Sequence, residues 1–367
     1  MAQTWRVTPG KVAMFRAIDA LSLPFRPFIR KSAASGDIRN ILVMEPWYIG
    51  DVVLATPALR ALRSKFPNAR ISLLGKQHAE ELLRHSDLVD EVIVFDIPWT
   101  AKQSKYSPSR YDADAIHNLI GALRSREFDL TVDARMDLRS NYLTWLTRAP
   151  RRVGYDFGGG SFLLTDAVPA DPDRLHRVDD WINLLRPLGI EGRFEPLLCV
   201  SNEEKESARA TLRDHGIADS DALIAIHGGA SDPRRRWAPE KFEGVATQLA
   251  ERYGVKVVWL LDPDTSDREV TVASAVLRTS LREMMAIFSQ CKVVLCNDSG
   301  PMHIADALDV PVVAVFLTGN PVWHRPYRQN QEVVGEGTGH DFLVAPKEDE
   351  VLAAAERQLA RAGVRAK

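Results

Sequence analysis

Three stretches of the chain gather side chains fit for group transfer. In residues 41–57 a short apolar run is broken by Pro46 and Gly50, and a carboxylate, Asp51, follows where the pattern turns helical. A carboxylate at a strand-to-helix junction can serve as a general base towards a hydroxyl nucleophile, or simply cap the helix. Residues 227–239 place Gly228, Gly229 and Ser231 ahead of three consecutive arginines, Arg234, Arg235 and Arg236. Glycines admit backbone N–H groups to an anion, and guanidinium groups take phosphate oxygens in bidentate fashion. That composition suits a diphosphate; the plainer alternative is a solvated basic loop. In residues 296–305 an apolar strand again gives way to a helix. Ser299 and Gly300 can present donors to an anion at that helix N-terminus, Asp298 can bond a sugar hydroxyl, and His303 follows one turn later. Capping by Asp298 or Ser299, with His303 an ordinary histidine, is the competing reading.

The elements that would hold these groups alternate. Apolar runs at 41–44, 70–74, 91–95 and 129–132 predict strands, with helices near 57–66, 79–85 and 113–126. Thr56 and Pro57 are placed to be N-cap and first residue of the first helix, which leaves Asp51 in the connection before it. Residues 99–111 read as a loop, residues 150–155 and 158–160 as a turn-rich connection, and residues 177–188 as a helix. Ser201 with Glu204 forms a capping-box start, and a second series follows: strands at 222–226, 255–261, 291–296 and 311–316, helices near 239–253, 281–289 and 303–308. Such alternation predicts parallel sheets covered by helices, two Rossmann-like lobes facing one another across a cleft. The expected domains are an N-terminal extension 1–39, a first lobe 40–200, a second lobe 201–345, and a C-terminal helix segment 346–367, its helix near 348–362, that packs back on the first lobe.

A chain of 367 residues is long for one core and suits two domains. A formal charge of -2 argues against nucleic acid as a partner. Cys199, Cys291 and Cys296 are odd in number, and two of them lie in one apolar run, which suits core packing in a reducing compartment better than a disulfide or zinc framework. There is neither a membrane-span run nor a signal-peptide pattern, so a cytoplasmic location is expected. Residues 11–31 interleave Arg16, Arg26, Arg30 and Lys31 with Phe25, Phe28 and Ile29. This segment suits peripheral contact with the inner face of the cytoplasmic membrane, or else a helix docked on its own domain.

Residues 49–60, 150–155, 228–239 and 297–307, followed by Thr318-Gly319-Asn320-Pro321, together resemble glycosyltransferase family 9, the heptosyltransferases of bacterial lipopolysaccharide. The likeness spans roughly residues 40 to 330. It implies a GT-B architecture with an N-terminal acceptor lobe and a C-terminal nucleotide-sugar lobe, and an inverting transfer that needs no metal or other cofactor. The substrates implied are an ADP-linked heptose or related sugar and a lipid-linked glycan of the lipopolysaccharide type. By matching position Asp51 would be the catalytic base, and Gly229, Ser231, Arg235, Asp298, Ser299, Gly300 and His303 would bind the donor. Arg60 and Arg63, three apart on the helix after Asp51, are candidates to face an anionic acceptor.

The chain departs from the family pattern in three places. Glu45 stands where a basic residue is usual, which argues against a strongly anionic inner-core acceptor. Residues 262–265 replace a glycine-rich turn, with Asp262 or Asp264 as candidates for ribose hydroxyls. Between 267 and 281 the chain is about ten residues short, so a helix or strand edge of the second lobe is expected to be trimmed. Two alternatives stand beside the main reading: a different nucleotide-sugar used for O-antigen or capsule, and a non-catalytic sugar-nucleotide-binding protein.

Overall fold

Runs such as Ile41-Leu42-Val43, fully buried on both pleat faces, are what a sheet covered by helices on each side demands. The computed structural model describes residues 9–21, 37–101, 107–170, 176–263, 273–335 and 345–367. The chain divides into two units, Met1–Phe194 and Glu195–Lys367.

In the first unit, α1 (Pro9–Leu21) precedes β1 (Asn40–Met44), α2 (Ile49–Lys65), β2 (Arg70–Gly75), α3 (Gln77–Leu83), β3 (Glu91–Val94), α4 (Ala113–Arg124), β4 (Leu130–Asp133), α5 (Leu138–Leu146), β5 (Arg151–Tyr155), β6 (Asp166–Val168) and α6 (Arg177–Leu184). The sheet order is β3-β2-β1-β4-β5-β6 with every pair parallel. Asp19 of α1 accepts the backbone N–H groups of Gly160 (2.9 Å) and Ser161 (3.1 Å), which docks that helix on its own unit. The rest of the basic N-terminal segment, residues 22–31, lies outside the described residues.

The second unit holds α7 (Asn202–Asp214), β7 (Leu223–His227), α8 (Pro239–Tyr253), β8 (Lys256–Leu261), β9 (Ala275–Arg278), α9 (Leu281–Phe288), β10 (Val293–Asn297), α10 (Gly300–Ala307), β11 (Val312–Val315), α11 (Pro321–His324), β12 (Glu332–Val334) and α12 (Glu348–Arg361). Its sheet is again wholly parallel, ordered β12-β11-β10-β7-β8-β9. The capping box of Ser201 and Glu204 opens α7 as expected. Each sheet reverses direction of growth once, between β1 and β4 and between β7 and β10. At such switch points the loops leaving the two strands part and open a crevice, the usual ligand site of open α/β sheets.

Three expectations need correction. Within residues 150–155, Arg151–Tyr155 form strand β5, not a turn-rich connection. Arg151 and Arg152 mask it in the sequence, but Arg151 pairs with Asp166 (3.1 Å) and Arg152 is buried, donating to the carbonyls of Leu163 and Ala149. The C-terminal helix α12 instead puts Val351, Ala354, Ala355 and Leu359 into the core of the second unit, beside Phe242 and Leu249 of α8. The sheet edge expected to be trimmed keeps its strand β9, paired to β8.

Candidate active site

A fourth correction concerns Asp51. Helix α2 begins at Ile49, so Asp51 lies in its first turn and not in a connection before it. Tyr48 is the N-cap, and its backbone N–H donates to Asp51 Oδ2 at 3.3 Å, the carboxylate half of a capping box. The helix then runs through Pro57, whose missing N–H would have paired with the Val53 carbonyl. The Thr56 hydroxyl donates to that carbonyl instead, at 2.7 Å, and burial of Val52, Val53, Leu54 and Ala55 holds the turn. The early start fixes the Asp51 carboxylate at the carboxyl edge of the sheet, where the positive end of the helix favours its charge.

Across the switch point, the loop after β4 carries Arg135. Its Nη2 lies 2.9 Å from Asp51 Oδ1 and also contacts Glu45 Oε1, at the end of β1. Its guanidinium carbon sits 4.7 Å from the Trp47 ring centroid, so the cation is sandwiched between carboxylates and an aromatic face. Glu45 is fully buried; burial raises its pKa, while Arg135 pulls it back down. Placed beneath Arg135, Glu45 is not an acid presented to an acceptor, which removes the argument drawn from its type in the sequence.

The Arg135 loop is braced from two sides. Asp133 accepts the Arg135 N–H at 2.9 Å, and its carboxyl is pushed up to about 7, chiefly by burial. Gly158 has φ +95, and a Cβ there would stand 2.2 Å from the Met136 backbone, so only glycine allows this approach. Beside the loop an open, mostly aromatic pocket of 570 Å³ is lined by Trp99, Tyr111, Tyr142, Trp145 and Phe162 together with Arg139.

Arg60 and Arg63 are not brought to this place. On α2 they lie about 14 Å and about 18 Å along the axis from Asp51, at 1.5 Å per residue. Arg63 is committed to the opposite edge of the sheet, bonded to Asp90 (2.6 Å), the Ala69 carbonyl (2.7 Å) and the Asp87 carbonyl (3.1 Å).

The second unit repeats the plan. The loop leaving β7 carries Gly229, Ser231 and the arginines, and the loop leaving β10 carries Asp298, Ser299 and Gly300. Of the three arginines, Arg234 turns back to Asp232 (2.7 Å) and Arg236 donates to the Ala230 carbonyl (2.7 Å). Only Arg235 reaches across, its Nη1 3.0 Å from Asp298 Oδ2. Asp298 is buried, with its pKa raised by that burial and drawn down by Arg235.

The donor groups expected at the helix are held close by. Ser299 is the N-cap of α10 but donates to the Asn297 carbonyl (3.1 Å), leaving the first turn without a side-chain cap. His303 is buried one turn in, and Ser231 is exposed. Gly229 packs on the His227 ring, which a Cβ would approach to 2.8 Å. His227 Nε2 lies 3.4 Å from Asp262 Oδ1, so Asp262 stands at the same edge; Asp264 lies outside the described residues.

Asn297 joins the two loops. Its side chain accepts the Trp237 N–H (2.9 Å) and donates to the Gly228 carbonyl (2.8 Å). Neither Asn297 nor Arg135 stood out as functional in the sequence. The signal available was the polar residue ending a buried strand, for Asn297, and a charge just beyond one, for Arg135.

A family model for glycosyltransferase family 9 (heptosyltransferase) matches residues 116–348, more than half of the chain. The chain belongs to glycosyltransferase family 9. This family 9 glycosyltransferase is 24% identical to lipopolysaccharide heptosyltransferase 2 of Salmonella typhimurium over 320 residues, 82% of this chain and 89% of that protein. Its fold is similar to that of a family 9 glycosyl transferase from Veillonella parvula, with a TM-score of 0.76, 24% identity, and coverage of 90% of this chain and 100% of the other. It is similar also to the E. coli ADP-heptose lps heptosyltransferase II, with a TM-score of 0.69, 22% identity, and coverage of 89% and 100%. The two Rossmann-like units are those of the GT-B fold class expected from the sequence.

Among the described residues no helix is long and apolar enough to cross a membrane. Cys199, Cys291 and Cys296 are not in disulfides, and burial raises the pKa of Cys291 and Cys296.

Proposed function

We propose that this glycosyltransferase moves a heptose from ADP-heptose to a lipopolysaccharide core acceptor, with inversion and without a metal. The observation that carries the reading is the Asp51 carboxylate, held at the switch point of a parallel sheet in a member of this family. Asp51 takes the proton of the acceptor hydroxyl as its oxygen attacks the anomeric carbon, the bond from that carbon to the diphosphate breaks, and ADP departs. A single displacement of this kind inverts the anomeric centre. Arg235 and the uncapped first turn of α10 neutralise the charge growing on the diphosphate, the part a metal plays elsewhere.

Asp298 holds Arg235 in place until the donor arrives and then bonds the sugar, with Gly229, Ser231, Ser299, Gly300 and His303 around it. The aromatic pocket beside Arg135 takes the acceptor in place of Arg60 and Arg63. The basic N-terminal segment 11–31 brings the enzyme to the inner face of the membrane that carries the acceptor. The relatives named for heptose transfer to lipopolysaccharide support this choice of substrates.

The test supplies ADP-heptose and heptose-deficient lipopolysaccharide and follows product by mass spectrometry. Asp51→Asn should lower kcat by a factor of about 10² to 10⁴, the range for loss of a general base, while ADP binds as before. Near-normal turnover in this variant would remove Asp51 from the mechanism.

A further inference from the structure

Asp51 does not stand alone, and the groups behind it form a graded set. We infer that Glu45 and Arg135 are a positioning pair for Asp51: the buried carboxylate pins one guanidinium nitrogen, and that nitrogen in turn aims the Asp51 carboxylate. The inference rests on the reading of Asp51 as the base, but only for its consequence in catalysis.

The geometry is specific. One nitrogen, Arg135 Nη2, contacts both carboxylates, at Glu45 Oε1 and, at 2.9 Å, at Asp51 Oδ1. Arg135 Nε and Glu45 Oε2 are buried without hydrogen-bond partners. The Trp47 ring covers the guanidinium, and the Asp133 carboxyl fixes its backbone. Asp51 is thereby held at both oxygens, Oδ1 by Arg135 and Oδ2 by the Tyr48 N–H.

A lone arginine against the base would blunt it, since a nearby cation favours the charged carboxylate and weakens its pull on a proton. Glu45 counters that. With Glu45 ionised, the three groups carry one net negative charge, and Arg135 has somewhere to stay when Asp51 takes the proton. The other ionisable groups facing this cluster are Tyr48 on the same turn, Lys76 and His78 after β2, Asp96 after β3, Asp133 and Asp137 around the β4 loop, and Arg177 of α6. Arg135 is in direct ionic contact with both Asp51 and Glu45.

The test reads the Asp51 side-chain carboxyl directly, by carbon-13 NMR of the full-length chain labelled at aspartate, with the resonance assigned by its absence in Asp51→Asn. Removing the cation with Arg135→Met should move the titration midpoint of Asp51 up by about 1 to 3 pH units, and removing the buried acid with Glu45→Gln should move it down by about 1 unit. Arg135→Lys, which keeps the charge but not the fork, should return the midpoint towards that of the parent without restoring full turnover. Opposite shifts support the pair. Shifts of the same sign, or none in folded variants, overturn it, because a purely structural role lowers stability without moving Asp51 in two directions.

Turnover with ADP-heptose and heptose-deficient lipopolysaccharide separates this from the role of the base. Opposite NMR shifts with an active Asp51→Asn enzyme would keep the pair and reject the base. An inactive Asp51→Asn enzyme, together with an Asp51 midpoint that neither Arg135→Met nor Glu45→Gln moves, would do the reverse.

Discussion

Asp133 offers a prediction whose size follows from burial. Its side chain is fully buried beneath the Arg135 loop, and its carboxyl titrates at about 7 against an ordinary value of 3.8. Below pH 3.8 the group is protonated whether the chain is folded or not. As pH rises towards 7 the unfolded chain ionises and the folded one resists, so stability is lost at up to about 1.4 kcal/mol per pH unit. The gap of roughly three units makes the full loss about 4 kcal/mol at most, complete once pH passes the folded value.

Asp133→Asn keeps an oxygen to accept the Arg135 N–H and cannot ionise. The variant should therefore match the parent near pH 4 and gain on it steadily up to about pH 7, then hold that advantage. Urea denaturation of both proteins at half-unit steps from pH 4 to 8 measures this. A difference that stays constant with pH, or a parent more stable at pH 8, would show that burial of Asp133 is not the source of its shift.

Two further outcomes bear on the second unit and on the discarded acceptor residues. A Cβ at Gly319 would lie 1.9 Å from Asp298 Oδ2, so Gly319→Ala should push Asp298 off Arg235 and weaken ADP binding at least several-fold by calorimetry; unchanged affinity would refute the tie between this ion pair and the donor. Arg63→Met should cost about 1 kcal/mol of stability, chiefly through the lost bond to the Ala69 carbonyl because the exposed Asp90 carboxylate keeps the Ile71 N–H and water, and leave the acceptor KM alone. A raised KM with stability intact would return Arg63 to the acceptor.

Much of the plan was legible in the chain because the strands of a doubly covered sheet are apolar without interruption, and such runs need no partner to be seen. Element type came through for the central strands β1, β4, β7 and β10, whose residues are buried on both faces. Edges were harder. β6 and β12 are three residues each and half-buried, too short for a pattern, and β5 hides behind two arginines whose charges are satisfied only by distant parts of the fold. The start of α2 was misplaced because Pro57 reads as a beginning. The Thr56 hydroxyl, turned onto the Val53 carbonyl, and the burial of the turn before it let the helix pass through.

By itself the sequence determined which loops matter, since glycines, arginines and acids at the ends of apolar runs mark the carboxyl edge of a parallel sheet wherever that sheet goes. It could not say which of three consecutive arginines reaches across, because their directions depend on a short helical turn and on Asp232 and Ala230 claiming the other two. Nor could it join Glu45 to Arg135, 90 residues away, since that contact exists only because β1 and β4 are neighbours in the sheet. Residue type made Asp51 a candidate base. Strand order decided what stands against it, and so how strongly it can pull a proton.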